Sequence, residues 1–560
     1  MPKKQREKIS RLALIYLFFF AIFFILIARL VYVQIICYPK ISKRVNRMVL
    51  KEEEVRGQRG AILDVSGRPL AVSERNYSVF LDPSQIKDFA GIKKTLAVYG
   101  INIKENNPKN FKSSAYVPIA ANLSEQAVEQ IREQKFAGLG FESHYTRRHP
   151  QGFILMPTLG LLGSAEHGLS GIEFSFDKYL LGKLTKVDQT RDGAGRTISR
   201  EIINPENVSG KDVRLTIDVN IQFIVEQELK SAFARNGAKH AVCIVQDPYT
   251  GRILAMASLP DFSPNTKITD ISMLRNYAVS GVFEPGSTFK IVAIAAALNE
   301  GIISADDYFA VDGGRLKIDG YEISDDPVHK MSKYENLSTI MAYSSNVGLV
   351  RIGQKLGKKM FYRYIRKFGF YSLSAIDLPG EERGTLPDAR DWGALTFANI
   401  SFGQAMYATA IQITNAYSAI ANGGILMKPV IIESIDGKQY KRFAARQVRR
   451  VITEQTAREV RKLLRGVVDF GTGKSAKVSG YSVAGKTGTG QKYDASIKQY
   501  SKQKYTSSFA GMIPAENPKV VIFVMFDEPR GDYYAASIAA PVFKRIAERT
   551  ARYLNIAKDD

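Results

Sequence analysis

Between Leu12 and Ala28 the chain reads LALIYLFFFAIFFILIA, 17 residues without a charge, and after Arg29 the apolar character resumes as LVYVQII to Ile36. A helix rises 1.5 Å per residue, so the first run spans roughly 25 Å and the whole stretch roughly 37 Å, enough to cross the hydrocarbon core of a bilayer. Arg29 lies near one end, where a guanidinium reaches the headgroups, and does not interrupt the span. The alternative, a cleavable signal peptide, lacks an A-x-A-like site, and the apolar region exceeds the usual length. Residues 12–36 are therefore expected to form one transmembrane helix behind a cytoplasmic tail of residues 1–11. Lys3, Lys4, Arg6, Lys8 and Arg11 precede it and Lys40, Lys43, Arg44, Arg47 and Lys51 follow, so local charge is balanced. A long following domain translocates largely regardless of charge, which puts the N-terminus inside and the bulk of the chain outside.

At 560 residues the chain exceeds what one hydrophobic core supports, so two or more domains are expected. Its net charge of +23 suits polyanionic surroundings, whether nucleic acid, lipid headgroups or an acidic wall polymer. No nucleic-acid-binding motif accompanies the charge, and an outward-facing domain would not meet DNA. Two cysteines, Cys37 and Cys243, make a disulfide framework untenable. The histidines at 144, 149, 167, 240 and 329 lack zinc-ligand spacing, so neither metal nor cofactor is expected.

Residues 37–209 read as a first module of short strands and turns. GQRGAILDVSGRPLA (57–71) is a strand, a glycine turn and a strand, and RDGAGRTISREIINPENVSG (191–210) is a polar connector that ends the module near Gly210. Residues 210–560 begin with a strand, VRLTID, and a helix on which Ile221, Ile224, Val225 and Leu229 recur at helical spacing. AVCIVQD and RILAMAS then flank a PYTG turn, and at the far end YTSSFAGMI and VVIFVMF flank PAENP before a helix expected over Ala535–Leu554. Hairpins at both ends with helices between predict an α+β domain built on an antiparallel sheet flanked by helices.

The sharpest chemical signal is FEPGSTFKIVAIAAALNE (283–300). Pro285 and Gly286 break the chain and the alanine-rich run behind them predicts a buried helix, which puts Ser287 near a helix N-terminus and Lys290 on the same face. Burial lowers a lysine's pKa toward neutrality and makes its amine a competent base for a serine hydroxyl. An isolated S-x-x-K most often marks a serine-capped helix with a surface lysine. Two further motifs shift the balance. Ser344-Ser345-Asn346 offers a hydroxyl and an amide from a turn, and Lys486-Thr487-Gly488-Thr489 reads as an edge strand. There Gly488 leaves room for substrate against the backbone, and the ammonium and hydroxyls grip a carboxylate.

S-x-x-K, S-D-N and K-T-G form the set of β-lactamases and penicillin-binding proteins. This chain resembles that set in the right order, with Ser345 in place of the Asp. From about Arg56 onward it is similar to class B penicillin-binding proteins: RGAILDVSGRPLA and GLSGIEFSFDKYLLG to their N-terminal module, LTIDVNIQ, DPYTGRILAMAS and SFGQAMYATAIQITNAYSAIANGG to their transpeptidase domain. FEPGSTFK, SSNVG and KTGTGQK resemble the division-specific, FtsI-type septal enzyme more than the elongation-specific one.

The resemblance implies a penicillin-binding-protein/serine β-lactamase-like domain after one transmembrane helix and an elongated, dimerisation-type N-terminal module. It makes Ser287 the acylated nucleophile, Lys290 its base, and Ser344 and Asn346 the proton relay and the contact to the substrate amide. Lys486, Thr487 and Thr489 hold the substrate carboxylate, and the backbone N–H groups of Ser287 and Thr489 form the oxyanion hole. The implied partners are a stem peptide ending in D-Ala-D-Ala, β-lactams, the inner membrane, and a polytopic membrane glycosyltransferase among other division proteins. A hydrolase with the same motifs, a D,D-carboxypeptidase or β-lactamase, and a β-lactam sensor are the rival readings.

Gly480–Thr487, GYSVAGKT, also satisfies the Walker A pattern. A phosphate loop needs a buried strand before it and a helix opening at Lys-Thr, and VSG ahead and GTGQKYD behind supply neither.

Overall fold

The computed structural model describes residues 3–40, 42, 50–108, 111, 116–163, 166–191, 197–202, 208–264, 266, 268–438, 444–494 and 499–560. They fall into two compact units, Met1–Gln58 with Gly182–Gly210, and Arg59–Leu181 with Lys211–Asp560. Lys43, Arg44 and Arg47 behind the apolar run, and residues 192–196 and 203–207 of the polar connector, lie outside the described residues.

In the first unit a helix over Lys3–Val31 continues as a π-helical turn, Tyr32–Ile36. Residues 11–36 are all exposed, and so much uncovered apolar side chain is stable only in a lipid-like medium. Among the described residues this is the one helix long and apolar enough to cross a membrane. Leu50–Arg56, Leu184–Arg191 and Thr197–Ile202 pair in that order as an antiparallel sheet. The polar connector thus contributes a strand at Thr197–Ile202.

In the second unit, Ile62–Leu63 and Pro69–Leu81 are the two strands expected around the Gly67 turn. Ile62–Leu63 also runs parallel to Val213–Leu215, which pairs with Ile432–Ile435, so residues on both sides of position 210 share one sheet.

The elements that carry the chemistry follow in chain order: α1 (Val219–Asn236), β1 (His240–Gln246), β2 (Ile253–Leu259), α2 (Lys290–Asn299), α3 (Leu337–Ala342), α4 (Asn346–Leu356), α5 (Ala410–Ala421), β3 (Ala484–Asp494), β4 (Gln499–Ile513), β5 (Val520–Asp527) and α6 (Ala539–Tyr553). The five strands make one sheet in the order β2-β1-β5-β4-β3, antiparallel throughout. The first and last hairpins of the domain thus meet at β1 and β5.

Successive strand residues point to opposite faces. Val242, Ile244, Val521 and Phe523 pack against the helices that include α2 and α5, while Cys243, Val245, Ile522 and Val524 pack with residues of α1 and α6. Helices cover both faces, which is why VVIFVMF is apolar at every position. Helix α2 is buried along its length, as a helix apolar all round must be. The last helix starts at Ala539 instead of Ala535, because residues 535–538 are taken up in turns: the Ser537 and Ile538 N–H groups both donate to Tyr534 O, at 3.0 and 3.1 Å, and Ala540 N–H donates to Ala535 O at 2.9 Å, outside the i to i−4 ladder.

Candidate active site

Pro285 and Gly286 do break the chain. Gly286, at φ +54°, opens a 3-10 turn over Gly286–Phe289 that runs into α2, with Ser287 half-buried in the turn and Lys290 opening the helix. The turn is tied down from three sides. Gly286 N–H donates to Gly403 O at 2.9 Å, Thr288 Oγ1 donates to Pro285 O at 2.8 Å, and the Tyr417 hydroxyl on α5 donates to Thr288 O at 3.0 Å. Ser287 N–H sits in the first turn of a helical segment, where backbone donors lack an in-helix acceptor.

Ser344 links α3 to α4 at φ +63°, a left-handed conformation that few non-glycine residues adopt. Its carbonyl and hydroxyl both meet Lys290. Lys290 Nζ donates to Ser344 O at 2.6 Å, Ser344 Oγ at 3.1 Å and Asn346 Oδ1 at 2.8 Å, and Ser344 Oγ lies 2.9 Å from Ser287 Oγ. Lys290 has no exposed surface, and burial pushes its amine down to about 7 against the opposing pull of Asp325. A serine hydroxyl, a second hydroxyl and an amine poised near neutrality form a continuous path for a proton.

Lys486, Thr487, Gly488 and Thr489 lie in β3, the edge strand, so the Lys-Thr pair of the Walker-like stretch sits within a strand and opens no helix. Lys486 is fully buried, and burial followed by the charge of Lys290 holds its amine well below the lysine range. Its Nζ lies 3.3 Å from Thr487 O and 3.4 Å from Thr487 Oγ1, which is 2.8 Å from Thr472 Oγ1. Thr489 Oγ1 accepts from Ala535 and keeps its own proton to donate. The space left by Gly488 is on the inner side. A Cβ there would lie 2.5 Å from Ser508 Oγ and 2.9 Å from Thr288 Cγ2, so the missing side chain lets the strand pack on the Ser287 turn.

The first two motifs are thus joined by hydrogen bonds, and the third meets the first through Gly488 and through the field between two buried amines. Sequence reasoning missed four residues here: Asp325, Gly403, Thr472 and Glu284. Glu284 lines a cavity of about 600 Å³ with Tyr407, Tyr493 and Tyr500, and burial raises its carboxyl to about 7. Two of the four had a signal, Glu284 next to the breaking Pro285 in FEPGSTFK and Gly403 in SFGQAMYATAIQITNAYSAIANGG, whereas Thr472 had none, nor did Asp325, whose carboxylate accepts from Ser345 and from the Asn346 and Val347 N–H groups at the start of α4.

An antiparallel sheet with this serine–lysine arrangement beside its edge strand defines the class of active-site-serine enzymes that penicillin recognises. The chain belongs to the penicillin-binding-protein transpeptidase family: the penicillin binding protein transpeptidase domain matches residues 241–548, and the penicillin-binding protein dimerisation domain matches residues 54–215. It is 32% identical to Stage V sporulation protein D of Bacillus subtilis over 96% of this chain and 84% of that protein. It is 31% identical to the peptidoglycan D,D-transpeptidase FtsI of Buchnera aphidicola over 96% of this chain and 94% of that protein. Penicillin binding protein 3 of Mycobacterium tuberculosis, complexed with aztreonam, superposes with a TM-score of 0.68 at 28% identity, covering 91% of this chain and 98% of that one.

Proposed function

We propose that this chain cross-links peptidoglycan as a D,D-transpeptidase. Ser287 attacks the penultimate D-Ala carbonyl of a stem peptide ending in D-Ala-D-Ala, terminal D-Ala leaves, and the acyl group passes to an amine of a neighbouring stem. One observation carries the reading: a fully buried Lys290 is hydrogen-bonded to Ser344, whose hydroxyl is bonded to Ser287.

In the first half-reaction the Ser287 proton passes through Ser344 to the neutral Lys290 amine and then to the leaving D-Ala nitrogen. In the second, the attacking amine returns a proton by the same path and Ser287 is regenerated. Backbone N–H groups of Ser287 and Thr489 receive the oxyanion, each donor contributing about 3 kcal/mol. Asn346 contacts the substrate amide. The substrate carboxylate stabilises the Lys486 ammonium, because an opposite charge offsets desolvation, and Thr487 and Thr489 complete the clamp. β-Lactams acylate the same serine.

Residues 1–11 form a cytoplasmic tail, 12–36 the membrane anchor, 37–209 a non-catalytic module and 210–560 the catalytic domain, on the outer side of the inner membrane. Likeness to proteins named FtsI supports a septal role, and in this reading a separate polytopic membrane glycosyltransferase polymerises the strands.

The test is mass spectrometry after penicillin treatment, followed by incubation with a D-Ala-D-Ala donor and an amine acceptor. The penicilloyl group should sit on the peptide containing Ser287 and persist, and the donor should release D-Ala and yield a cross-linked product. An adduct on another residue, or its rapid hydrolysis, defeats the proposal. Acylation should also speed up as pH rises through about 7, because the fraction of Lys290 in its neutral, proton-accepting form grows through that value. A flat profile between pH 6 and 8 would remove Lys290 as the base.

A further inference from the structure

A carboxyl that the acyl-transfer steps do not use stands beside the reactive turn. Glu284 precedes Ser287 by three residues and lines the cavity of about 600 Å³ together with Tyr371, Tyr407, Tyr493 and Tyr500. The cavity shares its frame with the catalytic turn. Ala405 lies two residues beyond Gly403, whose carbonyl holds the Gly286 N–H, and the Ala405 N–H donates to Glu284 Oε1 at 2.9 Å. Tyr493 and Tyr500 are register partners where β3 pairs with β4, past the K-T-G segment, with ring centroids 5.7 Å apart at 77°. The Tyr500 hydroxyl donates to Glu284 Oε1 at 3.1 Å. Both bonds fall on one oxygen, and Oε2 is buried with no hydrogen-bond partner among the described residues.

Among the described residues no cation pairs with this carboxyl. Burial raises it to about 7, and the two hydrogen bonds, with no charged group beside them, are what oppose the rise. The cations around the tyrosines are engaged elsewhere. Lys492 on β3 donates to Asp527 at 2.9 Å and to Glu528 at 2.7 Å, and Arg366 lies over the Tyr371 ring, 5.2 Å from its centroid. In a chain with 78 lysines and arginines against 55 acids, a buried acid without a cation is an exception. Aromatic faces attract a cation through their quadrupole, and a carboxylate behind them pulls hardest where water is excluded. Such a lining repels anions and suits an alkylammonium, and the volume admits an aliphatic arm.

We propose that this cavity is a subsite for a primary ammonium group on an aliphatic arm of a stem peptide, the tyrosine rings supplying contact and Glu284 the opposite charge. The proposal rests on the transpeptidase reading, in which stems joined through an amine carry that group. A donor stem and an acceptor stem can each present it, and the experiment tells them apart.

Full-length protein is given two D-Ala-D-Ala donors that differ only in the side-chain amine, free or acetylated, and release of D-Ala is followed. Release from neither donor defeats the transpeptidase reading itself. If the donor stem fills the cavity, the free-amine donor should have a kcat/KM roughly 10- to 100-fold higher, the scale of one charge-assisted contact. The difference should lie in KM, and Glu284→Gln, which keeps the shape and removes the charge, should abolish it. If the acceptor stem fills the cavity, the two donors should react alike. With the acetylated donor and a free-amine stem as acceptor, the ratio of cross-linked to hydrolysed product should then fall by a similar factor in Glu284→Gln. Tyr407→Leu keeps the charge, removes one ring, and should lose part of the same effect. In the wild type, n-pentylammonium should compete with whichever stem responds and n-pentanol should not, a result that holds even if neither variant folds. Donors used equally, with a transfer ratio unchanged in both variants and no competition by n-pentylammonium, overturn the proposal. A preference for the acetylated donor overturns it too, because that marks a site for a neutral amide.

Discussion

Lys290→Ala should reduce the rate of penicillin acylation by about 10³- to 10⁴-fold, the contribution of a well-placed general base. Removal of the amine takes the proton acceptor away from the Ser287–Ser344 pair. It also strips the donor from Ser344 O and Asn346 Oδ1, both of which Lys290 holds at under 3 Å. The pH profile gives the sharper readout. Two groups near the site titrate at about 7, Lys290 and Glu284, and both owe that value to burial. Loss of the rising limb in Lys290→Ala assigns the limb to the lysine. A slow variant that keeps a limb near pH 7 would move the titration to Glu284 and remove Lys290 from the base role.

Gly403→Ala, a change of one methyl group outside the three catalytic motifs, should slow acylation by at least about 10²-fold, the usual penalty for displacing a reacting group by an ångström. Gly403 stands at φ +88°, and a Cβ there would lie 2.2 Å from Gly286 O and 2.9 Å from Gly286 N. Those are backbone atoms of the turn that carries Ser287, so no rotamer change relieves the clash. Strain and overpacking together should cost about 2–4 kcal/mol of stability. A calorimetric melt beside the acylation rate checks both halves. An alanine variant with wild-type rate and melting temperature would mean that the turn moves freely, contrary to its three tethers.

These two residues mark the boundary of what the sequence reveals. Lys290 was readable because its evidence is local: a chain break, a helix apolar on all sides and an i, i+3 offset together force the amine into the interior. The antiparallel sheet was readable for the same reason, since each hairpin announces itself within some twenty residues by a Pro- or Gly-bearing turn. Gly403 is one glycine among 44, and Asp325 one acid among 55. Each acquires its role only when a distant segment arrives, Gly286 in one case and the start of α4 in the other, and no periodicity records such a meeting. The inner-side space at Gly488 was hidden likewise, because its occupants, Ser508 and Thr288, come from β4 and from the turn of the first motif.

The order of strands has a consequence for biosynthesis. β5, which lies between β1 and β4, is made after the other four strands of the sheet. A ribosome releases the β1–β2 hairpin early, but that hairpin is not joined to the strands that include K-T-G until β5 emerges. Pairings so far apart in the chain form slowly. The cleft therefore stays open until β5 has been made, and the catalytic machinery is completed by a strand that carries none of its motifs.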